Sequence, residues 1–219
     1  VYISPSNLNS SISSIDLSKN TGLKSFYLMS FPKIKNYDFS KNINLESLTL
    51  FSLEDLKTLD VSKNTKLTNI ELNGSAGSGT NNNYKSIDLS NNTALNRIYI
   101  TYFGLENIDV SMLGDVEYVI LDNNADLRCI KVTQSQYDNI SSKGQKWRKP
   151  STAIYSTDCN LTYVPDDVFE KILIHYGYDD VEDNYVKTVN IKDVTVLKSG
   201  YTGMGVGVFI TDPTGIEDF

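Results

Sequence analysis

The chain is poor in the residues on which most protein chemistry depends. It has one histidine, His175, one tryptophan, Trp147, and two cysteines, Cys129 and Cys159, in 219 residues. His175 has no Ser or Cys partner that the sequence places beside it, so no nucleophile–base pair is expected. A glycine-rich patch (Gly200, Gly203, Gly205, Gly207) lacks the Lys-Ser/Thr of a phosphate loop and the strand–turn–helix setting of a dinucleotide loop. A basic surplus is missing too. The net charge is −7 and no Lys/Arg cluster occurs, which excludes an ordinary nucleic-acid partner. No apolar run is long enough to cross a bilayer, so no transmembrane segment is expected. There is no initiator Met and no signal peptide, as expected of a mature or excised segment. With no acid–base, nucleophile or metal cluster, the expectation is a protein that is not an enzyme. At 40% hydrophobic and 21% charged, its composition suits an ordinary globular protein.

What is present is a repeat. Ile15-Asp16-Leu17-Ser18-Lys19-Asn20 returns around Asp38, Asp60 and Asp88, and in shorter form at Asp109. Units of the form L-x-x-L-x-L start at Ile12, Leu23, Ile34, Leu45, Leu56 and Leu67, eleven residues apart. They resume at Tyr84, Leu95, Leu105, Val116 and Leu127. The x-L-x-L-x alternation is the period of a short strand. An eleven-residue unit cannot bury its apolar row alone, so successive units must stack.

Units come in two kinds. One has Asp at its fifth position and usually Asn at its ninth (Asn20, Asn42, Asn64, Asn92); the other has Phe31, Leu53 or Phe103 at the ninth. The true period is therefore 22, with two parallel strands and two bends per coil. Each coil advances the stack by about 4.8 Å, and two parallel sheets form on opposite faces. A side-chain amide inside a bend can satisfy backbone groups that leave a strand. Leu113 and Asn124 break the alternation, so the last coils should be less regular. Asn73 to Asn83 reads as a flexible Gly/Ser insertion, either merely tolerated or a contact loop.

The pattern L-x-x-L-x-L-x-x-N over residues 12–132 resembles leucine-rich repeats. Units such as LKSFYLMSF and IDLSNNTAL are similar to the short 22-residue repeats of bacterial surface and secreted proteins of the Bacteroidetes and internalin types. This resemblance implies a leucine-rich repeat solenoid used for protein binding or adhesion.

Residues 133–160 read as a C-terminal cap, since an open solenoid end exposes core and unpaired strand edges. Trp147 is placed over the last coil. The two cysteines are either buried thiols or one disulfide. Their positions, one in the last repeat strand and one closing the next segment, favour a Cys129–Cys159 bond and hence an oxidising, extracytoplasmic setting. The stretch also resembles the cap of secreted Bacteroidetes leucine-rich proteins. Residues 161–219 change character. A helix is expected from Pro165 to Gly177, then strands at Val186–Ile191 and Val194–Leu197. V-P-D-D-x-F-E ending in T-G-I-E-D-F resembles the helical cap that begins a second leucine-rich domain, here a small α/β module. The expected class is therefore mainly β with some α.

Two faces compete for function. Outward residues of the Asp-bearing sheet repeat (Asp16/Ser18 through Asp109/Ser111). Those of the other sheet vary: Tyr27/Met29, Thr49/Phe51, Glu71/Asn73, Tyr99/Thr101 and Ile120/Asp122, flanked by Arg97 and Tyr118. Variation with aromatics suits recognition of a protein or glycan ligand at the cell surface or outside the cell. Alternatively, the rings stack across strands for stability alone. The Asp column invites a calcium ion, yet Lys19, Lys41 and Lys63 and the Ser hydroxyls can screen it, so no cofactor is expected. The acidic stretch Asp179–Asn184 lacks the EF-hand Gly and Glu and reads as a solvated loop. The other reading of the chain is structural: a segment of an array whose C-terminal module caps a neighbouring copy by head-to-tail self-association.

Overall fold

The computed structural model describes residues 2–3, 12–29, 31, 33–53, 56, 58–74, 84–200 and 209–219. The lead-in 4–11, most of the insertion (75–83) and the Gly-rich stretch 201–208 lie outside the described residues. The chain divides into two compact units, Val1–Thr157 and Asp158–Phe219.

The first unit is a mainly β solenoid. Its strands in chain order are β1 (Tyr2–Ile3), β2 (Ser25–Met29), β3 (Asn36–Asp38), β4 (Ser47–Phe51), β5 (Thr58–Asp60), β6 (Asn69–Asn73), β7 (Arg97–Thr101), β8 (Asn107–Asp109), β9 (Tyr118–Ile120), β10 (Cys129–Lys131), β11 (Trp147–Arg148) and β12 (Ile154–Ser156). One seven-stranded sheet runs β1-β2-β4-β6-β7-β9-β11, with every pairing parallel. Partners sit 22 residues apart between β2, β4 and β6, as in Leu48↔Ile70, 28 apart across the insertion, as in Ile70↔Ile98, and 21 apart between β7 and β9, as in Ile98↔Val119. The Asp-bearing side divides into β3-β5 and β8-β10-β12. Residues 84–89, which follow the insertion, supply buried Ile87 and Leu89 but form no strand between these two pieces. The inward side chains Leu48, Leu50, Ile70, Leu72, Ile98 and Ile100 are completely buried. Each such side chain contributes about 2 kcal/mol through apolar burial.

What allows the chain to turn every eleven residues is a column of buried amides. In the Asp-type bends, Asn42, Asn64 and Asn92 are all fully buried. Each Nδ2 donates to two carbonyls of the coil before it. Asn42 reaches Leu17 O and Asn20 O, Asn64 reaches Phe39 O and Asn42 O, and Asn92 reaches Val61 O and Asn64 O, at 2.8–3.1 Å. The expected loss of regularity at Leu113 is seen in the ladder: leucine has no amide, and among the described residues no side chain donates to Leu89 O or Asn92 O, so one rung is missing. The ladder resumes in the next Asp-type bend, where Gln136 Nε2 donates to Val110 O and Leu113 O. Asn124 works in the opposite bend. Its Nδ2 bonds Ile100 O and Leu121 O, and its Oδ1 accepts Phe103 N–H. In that opposite bend Ser52, Tyr102 and Asn123 take left-handed φ near 60°. Gly74 holds the equivalent place with no room for a Cβ, which would lie 2.0 Å from Tyr102 O.

Gln136 sits on α1 (Gln134–Lys143), a helix in the expected cap segment that the sequence reading did not place. Thr133 and Gln136 form its capping box. Beyond it Trp147 is buried in the solenoid core, and β11 pairs with β9. Both cysteines are disulfide-bonded, and as the chain has only two, the bond is Cys129–Cys159.

The second unit contains β13 (Leu161–Tyr163) antiparallel to β14 (Tyr185–Lys187), α2 (Asp167–His175) and α3 (Thr188–Ile191). The expected strand through Ile191 stops at Lys187 and gives way to α3, and 194–197 form no strand. Asp166 organises this unit. Its Oδ1 caps α2 through Val168 and Phe169 N–H, while Oδ2 accepts Thr211 N–H, Thr211 Oγ1–H and Asp212 N–H. Gly215 (φ 96°) lies against β13, where a Cβ would meet Tyr163 O at 2.6 Å. Phe219 stacks on Phe169, with centroids 5.9 Å apart, in a core with Val164, Leu173, Val186 and Ile191. The acidic stretch is not the freely solvated loop expected. Asp179 and Asp183 are half-buried, and Glu170 Oε1 on α2 accepts Asp183 and Asn184 N–H.

Asn64→Ala should lower the unfolding free energy by about 2–4 kcal/mol, since it removes two buried hydrogen bonds, leaving each carbonyl only its turn N–H, and opens a cavity. Asn44→Ala, at a surface amide bonded to Thr21 O, should cost about 0.5 kcal/mol. Urea titrations of the two variants compare them directly. Reducing Cys129–Cys159, which closes a loop of about 30 residues, should cost about 3–4 kcal/mol in the chain-entropy model. A urea midpoint unmoved by reductant would contradict this.

Candidate functional site

The seven-stranded sheet carries the residues singled out by their variation. Along β2, β4, β6 and β7 burial alternates, and the outward positions fall into register columns. One column is Tyr27–Thr49–Glu71–Tyr99. A second is Met29–Phe51–Asn73–Thr101, and a third ends in Arg97 and Tyr118. All ten candidate residues are therefore on one face, half-buried except for the more exposed Arg97. Ile120 follows Tyr99 in the outward column, as expected, but it is buried there, with Tyr99 on one side of it in the ladder and Arg148 on the other. The β11 strand of the cap segment lies beside it and closes that end of the sheet.

The rings form two groups. Tyr27 and Phe51 meet edge-to-face with centroids 5.7 Å apart. Tyr99 stacks on Tyr118 at 6.2 Å. The Arg97 guanidinium lies 4.9 Å from the Tyr118 ring centre and the Lys146 ammonium 5.4 Å from it. Lys146 comes from the segment after α1, so nothing in the repeat pattern pointed to it; it also pairs with Glu117 at 2.7 Å. Between the two groups lie Thr49, Glu71 and the Asn73–Thr101 hydrogen bond of 2.9 Å. Burial raises the Glu71 carboxyl pKa.

The Asp column has a local explanation. Asp16, Asp38, Asp60, Asp88 and Asp109 each accept the N–H of the Ser two residues on, at 2.8–2.9 Å, and so hold their own bends. In the first four, the Ser hydroxyl and then this N–H lower the carboxyl pKa. For Asp109, burial pushes upward, but Ser111 and Lys131 outweigh it. Among the described residues, no three His, Cys, Asp or Glu side chains gather where they could hold a metal ion. None of the described helices is long and apolar enough to cross a membrane.

No family model matches the chain, and no curated protein matches it. Among solved structures it is similar to the functional domain of InlJ from Listeria monocytogenes, described as including a cysteine ladder. The two share 17% identity over 71% of this chain and 33% of the other, with a TM-score of 0.49. The chain thus spans about a third of that structure's length. Similarity at this level identifies neither a family nor a ligand.

This face is chemically mixed. It offers rings for stacking, hydroxyls and amides for hydrogen bonds, one carboxylate and one guanidinium.

The two units should respond differently to pH. The Asp-column carboxyls have folded pKa values below their unfolded ones. Their stabilisation is present above pH of about 4 and is lost as pH falls through the folded values. In the second unit, burial and the neighbouring Asp183, Glu170 and Asp180 charges push Asp179 up to about 6, against a restraining bond from the Asp180 N–H. Its neutral form suits the fold, so this unit should gain stability from pH 7 to 5. It should lose stability again in stronger acid, where Asp166, held low by Thr211, Phe169 and Asp212 against the effect of burial, takes up its proton. Hydrogen exchange at pH 7, 5 and 3, read separately for each unit, checks both signs.

Proposed function

We propose that this is a non-enzymatic binding protein of the cell surface or extracellular space, a leucine-rich repeat solenoid that engages a protein or glycan through its variable sheet. One observation carries the reading. The repeating face is explained by its own bends, while the face with Tyr27, Phe51, Tyr99, Tyr118 and Arg97 varies from coil to coil and keeps its rings half-exposed. Rings and Arg in a sheet already held by backbone pairing add little that the fold requires, and they are the side chains that dominate recognition. The disulfide fits an oxidising compartment. The second unit, with its helix and Asp166-centred packing, is read as a cap-like module that starts a further repeat domain.

Replacing Tyr27, Phe51 and Tyr99 together by Ser should weaken binding to a hit from a protein and glycan array by about a hundredfold, with the circular dichroism unchanged. Full retention of binding by the folded variant would move the contact face elsewhere.

A further inference from the structure

On the variable face one side chain lacks a partner that its neighbours have. Elsewhere on the solenoid, acids and bases pair: Lys24–Glu46 at 2.9 Å, Lys85–Glu106 at 2.8 Å, Lys146–Glu117 at 2.7 Å and Arg148–Asp122 at 2.6 Å. Among the outward positions of β2, β4, β6 and β7, Glu71 is the one carboxylate and Arg97 the one cation. Glu71 makes no hydrogen bond or ion pair among the described residues, and it is half-buried. Arg97 sits diagonally from it on β7 but holds its guanidinium over Tyr118.

The surroundings of Glu71 are specific. Thr49 and Tyr99 flank it in register. Phe51 is a diagonal neighbour on β4, about 7–8 Å away along the sheet and within reach of long side chains. A half-desolvated carboxylate without a partner is an unfavourable state of the free protein, and an incoming cation relieves it with a charge-assisted hydrogen bond. Rings at the same place attract that cation a second time through their π faces. A neutral sugar would cover the carboxylate without compensating its charge, and a divalent metal needs more oxygen ligands than this position offers.

The geometry points to Glu71, with the Tyr99 and Phe51 rings beside it, as the seat for a Lys or Arg side chain of a partner protein docked on this sheet. Arginine fits better, because its planar guanidinium can stack on a ring while donating two bonds to the carboxylate. The proposal rests on the variable sheet being the contact face.

The test uses the whole chain and peptides selected on it from a random display library. The selected peptides should carry Arg or Lys, and replacing that residue by norleucine should weaken binding about tenfold. Glu71→Gln, which keeps the side-chain volume, should weaken it equally, and the Glu71 carboxyl should titrate at lower pH with peptide bound. The urea midpoint of Glu71→Gln should be unchanged or higher at pH 7, since a partnerless charge is removed. Peptides that lose binding in the Tyr27/Phe51/Tyr99 triple Ser variant but bind Glu71→Gln normally would overturn this proposal and leave the contact face standing. Peptides indifferent to both variants would overturn both. A library that yields no basic peptide, or a neutral glycan that depends on the same rings, also overturns it.

Discussion

A backbone that reverses every eleven residues leaves carbonyls with no strand to pair them, and the structure depends on how those groups are satisfied. Asn42, Asn64 and Asn92 do this from inside the bend, each spanning to the coil before. A buried amide costs free energy unless it is bonded, and so does a buried carbonyl; each offsets the other only if the coils stack at the right spacing. The ladder therefore fixes the register as well as stabilising it. At Leu113, which has no amide, the column misses one rung, and Gln136 arrives from α1 to bond the carbonyls of the next and last Asp-type bend. That helix is thus a continuation of the ladder as well as a lid over the end.

Because the bends carry the architecture, the sheet faces are released from it. On the Asp side the outward residues are still engaged, since each Asp bonds the N–H two residues on. On the seven-stranded sheet the outward residues are bound to no such turn. They can differ at every coil without cost to the fold, and they do. The half-buried state of Tyr27, Phe51, Tyr99 and Glu71 follows from close strand spacing: neighbours along a column shield one another's flanks while leaving their tips in water. A carboxylate in that position is partly desolvated without being covered, which is why Glu71 stands apart from the paired charges around it.

The second unit uses a different economy of contacts. It is small, and its apolar core of Val164, Phe169, Leu173, Val186 and Ile191 is supplemented by one carboxylate, Asp166, that ties a helix start to Thr211 and Asp212. Twelve acids against four bases in Asp158–Phe219, compared with fifteen against sixteen in Val1–Thr157, place the chain's negative charge in this unit. Crowding of Glu170, Asp179 and Asp183 around one loop is the structural expression of that imbalance.

Reading the sequence alone was enough for the period, the two kinds of bend, the face that varies and the pairing of Cys129 with Cys159, because each is written locally or by repetition. The helix Asp167–His175 was legible for the same reason, through Pro165, its acids and Gly177. The capping box of α1 was legible in principle as Thr133 and Gln136, but a polar segment with no apolar stripe gave no reason to look for a helix there. The burial of Ile120 was not legible because alternation assigns a side, whereas burial is decided by what the chain later lays beside it, here β11. The turn to helix at Thr188 and the tying of the acidic loop to Glu170 have the same origin. Periodicity determines which way a side chain points; only the folded chain decides which remote segment covers it, which ring takes a cation such as Lys146, and which charge is left without one.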